Sequence, residues 1–105
     1  MNFYANEDER TRLIAGLRDL AEFLDQNPQV PAPRYADLLV FPPRGTDAEM
    51  FAEVDIIAGQ IGVTATQNDT PDGHYIASRY FGPVQYRAVA IPHAALNHRS
   101  EEAGQ

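Results

Sequence analysis

The sequence predicts an α+β fold. It is a two-layer arrangement with element order α-β-α-β-β-β, in which helices pack on a mixed four-stranded sheet. Three observations predict it. Two segments place apolar residues at helical spacing behind capping signatures. A helix-length stretch joins two strand-like runs, as in a βαβ crossover. Near the C-terminus, two further strand-like segments flank Gly82-Pro83, the best hairpin signal in the chain.

In the first helix, Leu13, Ile14, Leu17, Leu20, Ala21 and Leu24 form one stripe and predict a helix from Glu7 to Gln26. Asn6 is a good N-cap, and Glu9 completes a capping box. Glu7, Asp8 and Glu9 suit the positive end of the helix dipole. Asn27-Pro28 ends the segment, because the residue before proline is biased away from helix. Leu17, mid-stripe, is expected to be a buried leucine whose truncation costs about 2–5 kcal/mol. Pro28, Pro31 and Pro33 then predict an extended connector to Arg34.

Ala36 to Phe41 is a nearly continuous apolar run, expected to be a strand buried on both faces or central in the sheet. Pro42-Pro43 stops it, and Arg44-Gly45 turns the chain. Thr46 and Glu49 form a second capping box. Behind them Met50, Phe51, Val54, Ile57, Ala58 and Ile61 make the stripe of a second helix, closed by Gly62. Val63 to Gln67 reads as a second strand, parallel to the first. Asn68 to Gly73 is dense in turn residues. His74 to Phe81 and Val84 to Ile91 form the hairpin. His93 to Arg99 is expected to add a helical turn or two.

A two-residue turn pairs Phe81 with Val84, Arg79 with Tyr86, Ala77 with Ala88 and Tyr75 with Ala90. A one-residue shift would set Arg79 against Arg87, and like charges directly opposite are destabilising. The alanine-bearing face is expected to pack on the helices. The other face then presents His74, Ser78, Tyr80, Gln85 and Arg87 as a candidate interaction surface, polar near the turn and apolar at its far end.

The chain has 105 residues, a length expected to form a single domain over 1–105, with 1–5 and 100–105 frayed. Its net charge of -7 argues against phosphate tracking, and so against nucleic acid as a partner. Cysteine is absent, which excludes disulfides and thiolate chemistry and is consistent with a cytoplasmic protein. No apolar run has the length of a membrane span, and Met1 to Arg10 lacks the pattern of a signal peptide.

Catalytic signatures are absent. His93 and His98 are five apart, the wrong spacing for two ligands on one helical face. A zinc site joining His74 to His93 would need a third ligand such as Asp69 or Asp72, so no metal is expected. Ser78 and His74 share a strand face but lie roughly 13 Å apart along it, too far for a nucleophile and its base. No phosphate-binding loop occurs, so no cofactor is expected. Glu53, Asp55, Asp69 and Asp72 read as structural carboxylates. Tyr75, Arg79, Tyr80, Tyr86 and Arg87 are the densest group of interface-type residues.

The segments RLIAGLRDLAEFLDQNPQVPAP, LLVFPPRGTDAEMFAEVDIIAGQIGV and GHYIASRYFGPVQYRAVAIP, within Glu7 to Pro92, give the chain its one resemblance. It resembles small uncharacterised proteins of actinobacteria and their phages. The resemblance implies an accessory cytoplasmic protein, encoded by a phage or mobile element, and it carries over no catalytic residue. The reading from sequence is thus a small protein-interaction or accessory protein whose partner is another protein or a second copy in a homodimer. Two alternatives stand beside it: an acidic inhibitor mimicking nucleic acid, and a small enzyme using His74 and neighbouring polar groups.

Overall fold

The computed structural model describes residues 4–69 and 73–95, and the chain divides into two compact units, Met1–Arg34 and Tyr35–Gln105. Expectations for His98, Asp72 and the C-terminal tail lie outside the described residues.

The first unit is built on helix α1 (Glu7–Gln26), with the bounds its periodicity predicts. Its capping box is complete: the Glu9 amide donates to Asn6 Oδ1 at 2.8 Å, and the Asn6 amide to Glu9 Oε1 at 3.1 Å. Two donors that the first helical turn leaves orphaned are thereby satisfied. Arg12 pairs with Asp8 one turn back. At the other end the Asn27 side chain donates to Phe23 O at 2.8 Å, and the Val30 amide closes a turn onto Asn27 O. No residue of α1 is buried, and Leu17 keeps 40% of its surface exposed, so it is not the buried leucine its place in the stripe suggests.

The second unit holds β1 (Ala36–Val40), α2 (Asp47–Ile61), β2 (Thr66–Gln67), β3 (Tyr75–Phe81) and β4 (Val84–Ala90). The four strands form a mixed sheet in the order β1-β4-β3-β2. The β3–β4 hairpin has the register deduced from the like-charge argument, with Phe81 opposite Val84 and Arg79 opposite Tyr86. Gly82 supplies the positive φ of 62° at the turn, and no non-glycine residue has a positive φ among those described. That combination fits a type II′ turn, with Pro83 in the position that needs negative φ.

β1 pairs parallel with β4, and β2 antiparallel with β3. β1 and β2 therefore run in the same direction, as the crossover predicts, but at opposite edges of the sheet. This corrects the expectation that β1 is central: the hairpin inserts between the two strands, so the apolar run Leu38–Phe41 lies on an edge. Leu39 and Phe41 stay about half exposed. β2 is also shorter than expected. Gly62 caps α2 at φ 75°, and the Val63 amide reaches back to Ala58 O at 2.9 Å, so Val63 still serves the helix end and pairing begins at Thr66.

α2 opens with a complete capping box. The Glu49 amide donates to Thr46 Oγ1, and the Thr46 amide to Glu49 Oε1. That backbone hydrogen bond, with a smaller contribution from the Thr46 side chain, holds the Glu49 carboxyl below the usual glutamate range. Met50, Val54, Ile57 and Ala58 of α2 are buried, and so are Ala77, Ala88 and Ala90 of the hairpin. The alanines remove bulk from the sheet and let the helix approach. Each large side chain fully buried here contributes roughly 1.5–3 kcal/mol. Tyr75 stacks on Phe51 at 4.6 Å between ring centroids, and its hydroxyl donates to Asp55 Oδ1 at 2.5 Å. Arg79 donates to Ile61 O at the end of α2 and lies over the Phe81 ring. The alanine-bearing face thus packs on α2, as its composition predicts.

Candidate functional site

On the other face of the sheet the ladder sets residues in rows. Tyr80 lies opposite Gln85 and Ser78 opposite Arg87 in the hairpin. β1 extends both rows, adding Asp37 beside Gln85 and Leu39 beside Arg87. A third row holds Ile76 and Val89, extended by Thr66 of β2. His74 precedes β3, and strand alternation puts it on this face too. Four of the five residues singled out from sequence are therefore brought into two neighbouring rows, with His74 at the far end. Their exposure differs. Tyr80 is 68% exposed, whereas His74, Ser78, Gln85 and Arg87 are half-buried.

Arg87 Nη1 lies 3.7 Å from Asp37 Oδ2, with the two side chains 30% and 26% exposed. A pair this wet and this long adds little stability. Gln85 Oε1 and Arg87 Nε are buried and make no hydrogen bond among the described residues. Polar atoms so placed are unusual on a sheet face that is merely solvated.

Beyond the third row the face becomes apolar. Phe41, Pro42, Arg44, Val89 and Ile91 line an open cleft of about 310 Å³. Leu39 lies one row from Phe41 along β1, while Tyr80 is set apart from them by Ser78, Gln85 and Arg87. Leu39 and Phe41 were missed from sequence because their place beside β4 depends on a long-range parallel pairing. The apolar far end of the hairpin face was the one local signal for the cleft.

The cleft is bounded by a polar cluster. Arg44 Nη1 donates to Ile91 O at 2.8 Å, and its Nη2 lies 3.4 Å from His93 Nδ1. His93 Nε2 is 2.6 Å from Gly45 O, which assigns the proton to Nε2 and leaves Nδ1 to accept from Arg44. The His93 amide donates to Asp47 Oδ1 at 3.0 Å. These bonds tie the end of β4 to the start of α2. Both imidazole nitrogens are engaged, so His93 offers no free lone pair to a metal or a substrate proton.

The remaining candidates resolve into structural roles. Tyr75 and Arg79 face α2, and Asp55 accepts the Tyr75 hydroxyl, which raises the Tyr75 pKa above the usual tyrosine value. Among the described residues no group of three or more His, Cys, Asp or Glu side chains is placed to hold a metal ion, and no helix is long and apolar enough to cross a membrane. No family model, curated protein or solved structure matches the chain.

Proposed function

We propose that this chain is a small protein-binding module that engages its partner through the sheet face opposite α2. One observation carries the reading. Leu39, Phe41 and Tyr80 are 48%, 49% and 68% exposed on that face, with Phe41 lining the apolar cleft, Leu39 one residue pair along β1 from it and Tyr80 at the turn end. Exposed aromatic and aliphatic side chains around a concavity are the usual anchors of an interface. Arg87 and Asp37 supply a polar element that a partner would desolvate. A cytoplasmic accessory role, phage- or mobile-element-encoded, belongs to this proposal and rests on the cysteine-free composition and the resemblance.

The test is affinity capture from the native host with the wild-type chain, a Phe41→Ala/Tyr80→Ala variant and an Ile56→Ala control. Ile56 is 57% exposed on α2, away from this face. The proposal expects one protein to be captured by wild type and control and lost from the double variant. Equal capture by all three places the surface elsewhere. The competing reading, an acidic inhibitor occupying a nucleic-acid site, draws on the net charge of -7. It expects the partner to dissociate steeply as salt rises, whereas an apolar sheet interface holds.

A further inference from the structure

The first unit carries an apolar surface that the sheet-face reading does not use. α1 is 20 residues long, with no buried residue. It exposes Leu13 at 51%, Ile14 at 39%, Leu17 at 40%, Leu20 at 55% and Phe23 at 51%. An amphipathic helix draws most of its stability from packing that face, and a contiguous exposed patch of this kind marks an association surface.

We propose that a second copy of this chain covers it, by antiparallel pairing of α1 with the same helix of the other molecule. Leu13, Leu17, Leu20 and Leu24 follow the alternating four-and-three spacing of a coiled-coil seam. A two-fold axis between Arg18 and Asp19 sets Leu13 opposite Leu24 of the second copy, and Leu17 opposite Leu20. Every layer of that seam is leucine against leucine. The flanks match by size in the same register: Ile14 falls beside Ala21, and Gly16 beside Phe23. The space over Gly16 is open, since an added Cβ would meet nothing within 4 Å.

Charge selects the direction. Parallel pairing would stack Arg10 on Arg10 at the next seam position and bring the acidic first turns together. Antiparallel pairing carries Arg10 to the C-terminal end of the other helix, the negative pole of its dipole, where the last turn has no basic residue. The helix is about 30 Å long, and covering its stripe removes roughly 1,000 Å² from water in a symmetric pair, the lower range for a specific interface. The dimer is accordingly expected to be weak and reversible, and it stands independently of the sheet-face reading.

Sedimentation equilibrium of the full chain, from micromolar to submillimolar, is the first test. The expected result is a rise from 11.6 kDa towards twice that mass, abolished in a folded Leu17→Asp/Leu20→Asp variant. Because the chain has no cysteine, orientation is read directly by introduced ones. Leu13→Cys/Leu24→Cys should form disulfide-linked dimers on mild oxidation, while neither single substitution does so efficiently. A monomer throughout the range overturns the proposal. So does a dimer that survives the double aspartate change, or efficient cross-linking by Leu13→Cys alone.

Discussion

Met50→Ala and Leu17→Ala remove comparable apolar volume from the two helices, yet their costs should differ several-fold. Met50, in α2, is 1% exposed, and truncating it loses the transfer energy of the side chain and leaves a cavity. Leu/Ile/Met→Ala changes in such positions cost about 2–5 kcal/mol, so a value near 3 is expected. For a unit of this size each kcal/mol lowers the melting temperature by roughly 4–8 °C, which gives a fall of about 12–24 °C. Leu17 is 40% exposed, and alanine is the best helix former. Its truncation in dilute solution should cost within about 0.5 kcal/mol. Urea unfolding resolves the two, provided the slope is unchanged and only the midpoint moves. The chain has no tryptophan and five tyrosines, four of them after Arg34, so near-ultraviolet dichroism follows the sheet unit while far-ultraviolet dichroism also reads α1. The reasoning is refuted if Leu17→Ala at micromolar concentration shifts the midpoint as far as Met50→Ala. A Leu17→Ala cost that grows with protein concentration is instead the mark of helix pairing between copies.

Gly82→Ala should cost about 1–2 kcal/mol through backbone strain alone, because φ is 62° and the space around the position is open; thermal melts of wild type and variant check it. Thr46→Ala should cost about 1 kcal/mol through loss of the α2 cap. Glu49→Gln, which removes the carboxylate itself, should flatten the acid limb of the stability curve. The Glu49 carboxyl is depressed in the folded chain, so its contribution is present above the ordinary glutamate range and lost as pH falls through the lowered value. The Tyr75 pKa is raised, mainly by its hydrogen bond to Asp55, then by desolvation, so its contribution is full below the ordinary tyrosine value and lost as pH rises through the raised one. Spectrophotometric titration should accordingly show late tyrosine absorbance that is reduced in Tyr75→Phe; unchanged late absorbance would refute the assignment.

Much of the fold was legible because its determinants are local. Asn6 with Glu9, and Thr46 with Glu49, satisfy amides three residues away, so helix starts are written in adjacent letters. The hairpin register follows from a glycine that tolerates positive φ and from the cost of setting Arg79 against Arg87. The candidate surface was half legible for the same reason: alternation from Gly82 put Ser78, Tyr80, Gln85 and Arg87 on one face, but local pattern says nothing of what joins them from elsewhere.

Tertiary structure alone decided that β4 pairs with β1, which sent the apolar run Leu38–Phe41 to an edge and brought Leu39, Phe41 and Asp37 into the candidate surface. It decided that His93 is held by Arg44 and Gly45, and that Tyr75 and Arg79 serve α2. It also decided that the α1 stripe, as regular as that of α2, contributes no buried residue. Periodicity records that a face is apolar, which is a property of one segment. Whether that face is covered depends on a contact between segments far apart in the chain, or between chains, and such pairings leave no local trace in the order of residues.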